Sequence, residues 1–420
     1  MKFLHAADIH LDSPLRGLDR YDGAPADEIR GATRKALGNL VSLAIDEDID
    51  FVILAGDLFD GDWTDFNTGL FFVQQMARLG QRNIPVYAVR GNHDAESKIT
   101  RKLPWPQNVH FFSPRKPESI TLDDLDVVIH GQSFATQKVI DDLALGYPAA
   151  VPGKINIGVL HTSLDGREGH ATYAPTSLSV LKSRSYDYWA LGHVHKREVV
   201  NTGPLVVFPG NTQGRHIKET GSKGCELVTL EGGILRTEHR SLDVLRWHSI
   251  EVDVEGATDL DIVLERTRKA LRGTSATAED RLTAVRVSIV GRAGVHEMIA
   301  THLDAFRQQV RALAIEVGQG SVWVEKVKVT TAMPVDLVAL KERNDPLGEL
   351  VHQLEILAAG DRQALEALAA ELQSLRQKLP AEVTESGEGL LLDDPETLKR
   401  LCASLGPDLL SRAFNQGPHS

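Results

Sequence analysis

Five short polar motifs each follow directly after a run of apolar residues in the first 195 positions. The motifs are Asp8-Ile-His10, Gly56-Asp57-Leu-Phe-Asp60, Gly91-Asn92-His93-Asp94, His161 within Val-Leu-His-Thr, and Gly192-His193-Val-His195. An apolar run that ends in polar side chains is typical of a buried strand. Segments 27–46 and 70–79 instead place apolar residues three and four positions apart, which indicates helices. The alternation predicts an α/β domain whose functional side chains gather at strand ends.

The pattern along the chain predicts three parts. Residues 1–245 carry the strand and helix alternation described above. Residues 246–334 read as strand, helix, strand, helix, strand, which predicts a small second α/β domain. Residues 335–420 form the third part. Within it, residues 335–378 lack strand signals, and leucines spaced by three and four predict two amphipathic helices separated near Gly360. A polar, acidic linker at 380–389 and a short helix around 395–413 follow.

Composition restricts the class of protein but leaves its substrate open. The chain has 420 residues, of which 42% are hydrophobic and 25% charged, as in ordinary globular proteins. Because no apolar stretch approaches the roughly 18 residues of a membrane span, and His5, Asp8 and His10 interrupt any signal sequence, we expect a cytoplasmic protein. Cys225 and Cys402 lie in no CxxC pattern, so neither a disulfide framework nor a cysteine zinc site is expected. The net charge of −12 argues mildly against bulk electrostatic coating of nucleic acid.

The polar motifs together supply the ligand types that a pair of divalent transition-metal ions prefers. Any one motif alone is commonly a solvated loop, and the glycines at 56, 91 and 192 could be simple turn formers. Five motifs at successive strand ends favour one convergent site instead. Nitrogen and oxygen ligands in combination suit manganese, iron or zinc, whereas calcium prefers oxygen alone. The predicted metal ligands are Asp8, His10, Asp57, Asn92, His161, His193 and His195.

Across roughly residues 1–215 these motifs resemble those of the calcineurin-like metallophosphoesterase superfamily. Within it, the stretches Asp8–Gly17 and Pro209–His216 are similar to the SbcD/YhaO type of bacterial DNA-repair nuclease. The resemblance implies a four-layer αββα sandwich with a small α/β capping domain and C-terminal helices. It also implies a division of the ligands, which places Asp8, His10 and His195 on one ion, Asn92, His161 and His193 on the other, and Asp57 between them.

The same resemblance implies phosphodiester hydrolysis of DNA ends by water that two divalent ions activate, manganese being expected before iron or zinc. His93, beside ligand Asn92, would stabilise the transition state or protonate the leaving group. Either Asp60 or Asp94 could orient the ring of His93, and the sequence leaves that choice open.

Basic side chains near the motifs are candidates for binding the phosphate backbone, although solvated surface charge explains each one equally well. The candidates are Arg16, Arg90, Lys98, Arg101, Lys102, Lys196, Arg215 and His216. The expected partners are DNA, a coiled-coil ATPase of the structural-maintenance type (SbcC-like), and a second copy of the chain. The leucine stripes at 347–375 fit helix-in-groove docking of that ATPase, but packing within the chain would produce the same stripes.

Two other functions remain as alternatives to a nuclease. The chain could be a non-catalytic assembly or DNA-binding subunit of an ATPase complex, although the complete ligand set argues against an inert site. It could also be a phosphodiesterase for small molecules, although 175 residues beyond position 245 exceed what that activity needs.

Overall fold

A computed structural model describes residues 1–13, 31–60, 66–96, 103–165, 173–279, 281–334, 340, 342–379 and 392–415. The chain forms two compact units. One comprises Met1–Ile250, Leu271–Arg286 and Ala314–Lys326, and the other comprises Glu251–Ala270, Val287–Leu313 and Val327–Ser420. The predicted middle segment 246–334 is thus shared between both units. Among the described residues no helix has both the length and the apolar character needed to cross a bilayer.

The strands and helices of the described residues are numbered separately in chain order. The strands are β1 (Lys2–Ala6), β2 (Phe51–Ala55), β3 (Val86–Val89), β4 (Val109–Phe111), β5 (Glu118–Leu122), β6 (Val127–Gly131), β7 (Ile155–His161), β8 (Tyr188–Gly192), β9 (Glu198–Thr202), β10 (Leu205–Phe208), β11 (Gly224–Glu231), β12 (Ile234–Ser241), β13 (Leu245–Asp253), β14 (Leu282–Arg292) and β15 (Val322–Ala332). The α-helices are α1 (Ala32–Asp46), α2 (Phe66–Gly80), α3 (Asn92–Glu96), α4 (Leu178–Ser183), α5 (Leu260–Ala276), α6 (His296–Thr301), α7 (Leu303–Gly318), α8 (Pro346–Ala359), α9 (Arg362–Glu371), α10 (Gln373–Arg376) and α11 (Pro395–Asn415).

The first unit contains two mixed six-stranded sheets. The strand order is β12-β11-β1-β2-β3-β4 in the first sheet and β5-β6-β7-β8-β10-β9 in the second. Strands β1 to β4 run parallel, as do β6, β7, β8 and β10, while β11, β12, β5 and β9 are antiparallel additions. Because parallel strands end at one edge of their sheet, the residues that follow β1, β2 and β3 become neighbours.

The apolar faces of the two sheets share one core. Phe3 and Ile53 of the first sheet and Ile157 of the second belong to the same fully buried cluster. Leu40 of α1 and Phe72 of α2 extend that cluster onto the helices. Each Å² of apolar surface buried in this core stabilises the fold by roughly 25 cal/mol. Burial of apolar surface is therefore the main force that holds the strand ends in place. A second cluster, on strands β7, β8 and β10 and helix α4, includes Trp189, Leu191 and Leu181.

The prediction of an α/β fold is confirmed, and the differences from the predicted elements have local causes. Strands β1, β2, β3, β7 and β8 end at the polar motifs or within two residues of them, as the apolar runs before those motifs predicted. The pattern missed strands β4, β5, β9, β11 and β12. Strands β4, β5, β9 and β12 are only partly buried, and β11 is buried from Gly224 to Val228 but the polar Glu226 interrupts its apolar run. The second helix expected within residues 246–334 is two helices, α6 and α7, broken at His302, whose φ of −116° and ψ of 39° are not helical.

Strands β13, β14 and β15 form a three-stranded sheet in that order. Val254 N–H donates to Val290 O, and Gly256 N–H donates to Arg292 O two residues further on in both segments. Both segments therefore run in the same direction, as in a parallel pair.

The C-terminal helices follow the sequence signals closely. Asp345 caps α8 by accepting hydrogen bonds from the backbone N–H of Leu347 and Gly348, and Pro346 occupies the first turn. The helix ends at Gly360, whose φ of +88° suits glycine. Apolar side chains of α8, α9 and α11 then pack with one another. This cluster contains Leu357, Leu365, Leu368, Ala369, Leu372, Leu379, Leu392, Leu398 and Leu401.

Candidate metal centre

The polar motifs meet where the two sheets of the first unit end. Asp8 and His10 follow β1, Asp57 follows β2, and Asn92 follows β3. His161 is the last residue of β7 in the second sheet, and its strand neighbour is Gly192 at the end of β8. Backbone hydrogen bonds join the loops, since Asp8 N–H donates to Gly56 O at 3.0 Å and His10 N–H donates to Asp57 O at 3.1 Å. The loops are therefore held by backbone as well as by side chains.

One group of potential ligands contains Asp8, His10 and His195, whose ligand atoms lie within 4.8 Å of one another. The two Nε2 atoms of His10 and His195 are 3.2 Å apart. His195 Nε2 lies 3.9 Å from Asp8 Oδ1. Asp8 and His10 are essentially inaccessible to solvent, while the side chain of His195 is 18% exposed. This group is open to solvent on the His195 side.

A second group contains Asp57, His161 and His193, again within 4.8 Å of one another. The carbonyl oxygen of Asn92 joins it, because Asn92 Oδ1 is 3.1 Å from His161 Nε2. Asp57 Oδ2 lies 3.4 Å from His161 Nε2 and 3.9 Å from His10 Nε2. Asp57 therefore lies between the two groups, as a bridging carboxylate must.

Acceptor oxygens lie beside the Nδ1 atoms of three of the histidines. Nδ1–H of His161 donates to Ala55 O at 2.9 Å, and Nδ1 of His195 lies 2.7 Å from Glu219 Oε1. His10 Nδ1 lies 3.3 Å from Asp60 Oδ1. In the tautomer that carries the proton on Nδ1, the Nε2 lone pairs of His10 and His195 face each other. A cation bound to both would relieve their repulsion, so the donor set fits a metal ion.

The buried charges of the site also favour a cation. Burial raises the pKa of Asp8, although the nearby histidines oppose this. Burial would likewise raise the pKa of Asp57, but the charge and hydrogen bond of His161 outweigh it and lower that pKa strongly. Burial disfavours the charged ring of His161, yet Asp57 outweighs it and raises the pKa of His161 to about 9. Without an ion, a proton on His161 provides the positive charge that the carboxylates require.

Several of the predicted ligands have an unusual backbone conformation. The φ angles are 52° for Asp8, 44° for His10, 51° for Asp57 and 104° for His193. A positive φ costs a non-glycine residue of the order of 1 kcal/mol or more, and such residues concentrate at functional sites. Glycine adopts a positive φ without this cost, so a turn with no need for a side chain would use glycine at these positions. The strain is therefore consistent with loops whose shape serves to place the ligand side chains.

Two of the motif glycines are required by close approach of neighbouring chain segments. A Cβ atom on Gly91 would lie 2.2 Å from Asp57 Oδ1, and one on Gly192 would lie 2.0 Å from Ala55 O. Both distances are well inside van der Waals contact. These glycines therefore allow the loops to approach each other, in addition to any role in the turns.

His93 lies against the site, with its side chain 35% exposed. Its backbone N–H donates to Asp57 Oδ1 at 3.0 Å, and its ring packs edge-on against His10 with centroids 4.9 Å apart. Its Nδ1 is 3.7 Å from Asp60 Oδ1. Of the two carboxylates considered from the sequence, Asp60 is therefore the neighbour of the His93 ring.

Asp94 has a different environment from the one expected of a residue that orients His93. Its carboxylate accepts hydrogen bonds from the backbone N–H groups of Leu58 (2.9 Å), Phe59 (3.1 Å) and Gly91 (3.0 Å). Burial, assisted by the charge of Asp57, raises the pKa of Asp94 to about 6. Asp94 thus fastens the loop after β2 to the loop after β3.

The candidate substrate-binding residues are dispersed. Lys196 is exposed directly after His195. The guanidinium of Arg90 lies over the ring of Phe111, 4.6 Å from its centroid. His216 Nε2 lies 3.6 Å from Glu219 Oε1, and Arg215 is largely buried beside the same carboxylate. The remaining four candidates lie outside the described residues, and they are Arg16, Lys98, Arg101 and Lys102.

Glu219 is a functional residue that the sequence pattern did not single out. It is 7% exposed and accepts hydrogen bonds from Asn211 Nδ2 at 2.9 Å and Arg215 N–H at 2.7 Å, in addition to its contact with His195. Burial would raise the pKa of Glu219, but the hydrogen bond with His195 and the charge of Arg215 outweigh it and hold that pKa well below its usual range. Because Glu219 lies in a loop, 24 residues from His195, no periodic signal marks it.

Comparisons with known proteins agree with this geometry. The family description "Calcineurin-like phosphoesterase" matches residues 1–197, and "Metallophosphoesterase YhaO, middle domain" matches residues 247–332. The metallophosphoesterase YhaO of Bacillus subtilis is 38% identical over 270 residues, which cover 63% of this chain and 66% of that protein. The chain thus matches just under two thirds of that relative's length.

More distant relatives carry the name "DNA double-strand break repair protein Mre11". The one from Methanopyrus kandleri is 22% identical over 77% of this chain and 70% of its own length. The one from Sulfolobus acidocaldarius is 21% identical over 74% of this chain and 80% of its own length. Together with the His/Asp clusters, these matches show that the chain belongs to the calcineurin-like metallophosphoesterases and is of the YhaO type.

Proposed function

We propose that this metallophosphoesterase is a nuclease that hydrolyses phosphodiester bonds of DNA during end processing in DNA repair. The observation that carries the proposal is the convergence of two buried ligand groups with Asp57 between them. Such a pair of sites, open to solvent beside His195 and His93, suits hydrolysis of an anionic ester. The distant relatives named for DNA double-strand break repair support DNA as the substrate.

The proposed division of ligands follows the two groups. Asp8, His10 and His195 would hold one ion, and Asn92, His161 and His193 the other, with Asp57 shared. The bound ions, manganese before iron or zinc, would lower the pKa of a coordinated water and neutralise phosphate charge.

The protein's own contribution to turnover is made by His93. Its partly exposed ring can reach a bound ester, and Asp60 lies on its Nδ1 side. A proton held on Nε2 would be delivered to the leaving oxygen, and the nearby carboxylate would stabilise the charged ring before transfer.

The remaining parts of the proposal concern substrate and partners. Exposed Lys196 would contact the DNA backbone, together with Arg16, Lys98, Arg101 and Lys102, which lie outside the described residues. Residues 246–334 would cap the cleft. The helices of 335–420 would dock a coiled-coil ATPase of the structural-maintenance type, and the chain would work as a dimer. Exposed Leu375 and Leu409, 49% and 48% accessible, are candidates for that docking.

The decisive experiment offers manganese-loaded protein four substrates: linear duplex DNA, single-stranded DNA, a cyclic nucleotide and an aryl phosphodiester. We expect cleavage of at least one DNA substrate, and loss of that cleavage in Asp57→Asn. Hydrolysis of only the two small esters would contradict the nuclease and favour a small-molecule phosphodiesterase. No hydrolysis by protein that binds two ions would favour a non-catalytic subunit.

A further inference from the structure

Two carboxylates stand behind the histidines of one metal position. Glu219 Oε1 lies 2.7 Å from Nδ1 of His195, and Asp60 Oδ1 lies 3.3 Å from Nδ1 of His10. Each carboxylate therefore faces the ring edge opposite the Nε2 atom that points into the site. Carboxylates in this place fix the tautomer and the ring orientation of a metal-binding histidine.

A single guanidinium joins these two carboxylates. Arg215 Nη1 donates to Asp60 Oδ1 at 3.4 Å, and Arg215 Nη2 donates to Glu219 Oε1 at 3.4 Å. The backbone N–H of Arg215 donates to the second oxygen of Glu219 at 2.7 Å, and Nη1 also reaches Ser13 Oγ at 3.4 Å. With a side chain only 14% exposed, Arg215 is packed behind the ligands and is poorly placed to meet DNA.

The other metal position supports at least one of its histidines in a different way. Its histidine His161 is oriented by a backbone carbonyl, Ala55 O, at 2.9 Å. The backbone of β2 therefore holds that ring directly. A change at Arg215 should reach one position and spare the other.

We propose that Arg215 is a positioning residue that holds Asp60 and Glu219 in place, so that His10 and His195 present Nε2 together to one of the two metal ions. The inference rests on the proposed two-metal site. The planar guanidinium of arginine can donate to two carboxylates at once through its separate Nη1 and Nη2 atoms. The single ammonium of a lysine cannot span them in the same way.

Simple electrostatics predicts the opposite effect of removing this arginine. Arg215 is a positive charge beside a cation site, so its loss would relieve repulsion and tighten metal binding if charge alone mattered. The positioning role predicts weaker binding, because the two histidines lose their common support. The sign of the change therefore distinguishes the two explanations.

The test is a titration of metal-free protein with manganese. Calorimetry measures the heat of binding, and electron paramagnetic resonance measures the manganese that remains free. We expect two ions per chain in the wild type. In Arg215→Gln, one ion should bind with unchanged affinity and the other about 10- to 100-fold more weakly. Glu219→Gln should weaken one ion in the same way, and Arg215→Lys, which keeps the charge and fills the space, should also show the loss.

Arg197→Gln provides the matched control. Arg197 pairs with the buried carboxylate of Glu226 at 2.5 Å, and that pair has no contact with a metal-binding histidine among the described residues. This variant should bind both ions as the wild type does. Unchanged or tighter binding of both ions in Arg215→Gln and Arg215→Lys would overturn the inference and leave the proposed function intact. Failure of the wild type to bind two ions would instead overturn the proposed function and, with it, this inference.

Discussion

The Nε2 atoms of His10 and His195 lie 3.2 Å apart, although 185 residues separate them in the chain. His10 follows the first strand of one sheet, and His195 follows a central strand of the other. The candidate metal centre therefore spans the ends of both sheets, and its geometry depends on how the sheets pack.

Replacing His93 by alanine should leave both metal ions bound and reduce phosphodiester hydrolysis by about 10²- to 10⁴-fold, the usual contribution of a general acid. His93 touches the site through its ring, while the metal-facing nitrogens belong to other histidines. Metal content by mass spectrometry and the hydrolysis rate together check this. His110→Ala is the control, since His110 lies in β4 and its ring contacts Glu118 of β5. Full hydrolysis in His93→Ala would remove this residue from the mechanism.

Asp57→Asn should abolish metal binding at one or both positions. The amide keeps the shape of the side chain but removes the charge that lies between the two histidine groups. Equilibrium dialysis against manganese measures the remaining ions. Binding of two ions with wild-type affinity would show that Asp57 does not bridge them.

Gly192→Ala should destabilise the first unit by about 1–3 kcal/mol, because its Cβ would lie 2.0 Å from the carbonyl oxygen of Ala55. Gly38→Ala is the matched control. Gly38 lies within α1, and nothing stands within 4 Å of its added Cβ, so this change should stabilise by up to about 1 kcal/mol. Urea unfolding of both variants gives the comparison. Equal stability of the two would contradict the close approach of β2 and β8.

The stability of the metal-free protein should fall as the pH rises from 6.5 to 9. His161 has its pKa raised from 6.5 to about 9, so the folded state holds this proton more tightly than the unfolded state. That stabilisation is complete below pH 6.5 and is lost as the pH approaches 9, at up to about 1.4 kcal/mol per pH unit. Urea unfolding in the presence of a chelator measures the slope. His161→Gln should flatten it, and an unchanged slope in that variant would assign the effect to another group.

Leu365→Ala should destabilise the C-terminal helices by about 2–5 kcal/mol, since Leu365 is 3% exposed within their apolar cluster. Leu375→Ala should change stability little, because the side chain is 49% exposed. Calorimetric unfolding of the full chain tests both. Loss of ATPase binding in Leu375→Ala without loss of stability would support docking by the exposed leucines. A large loss of stability in that variant would show that Leu375 is part of the core.

The leucine stripes illustrate what periodicity can and cannot predict. The spacing correctly indicated two helices that meet at Gly360, because helix periodicity and the glycine end signal are local. It left open what covers the stripes. The structure shows that Leu357, Leu365 and Leu368 pack within the chain, which depends on the position of α11, far along the sequence.

The sequence by itself determined the α/β pattern, the positions of the buried strands and the polar residues that follow them. These features are local, since an apolar run and the residues just after it are read within a few positions. Only the tertiary structure decided that Asp60 rather than Asp94 lies beside His93, that Glu219 supports His195, and that Arg215 joins both carboxylates. Those contacts link residues brought together by the packing of two sheets, and no spacing along the chain encodes them.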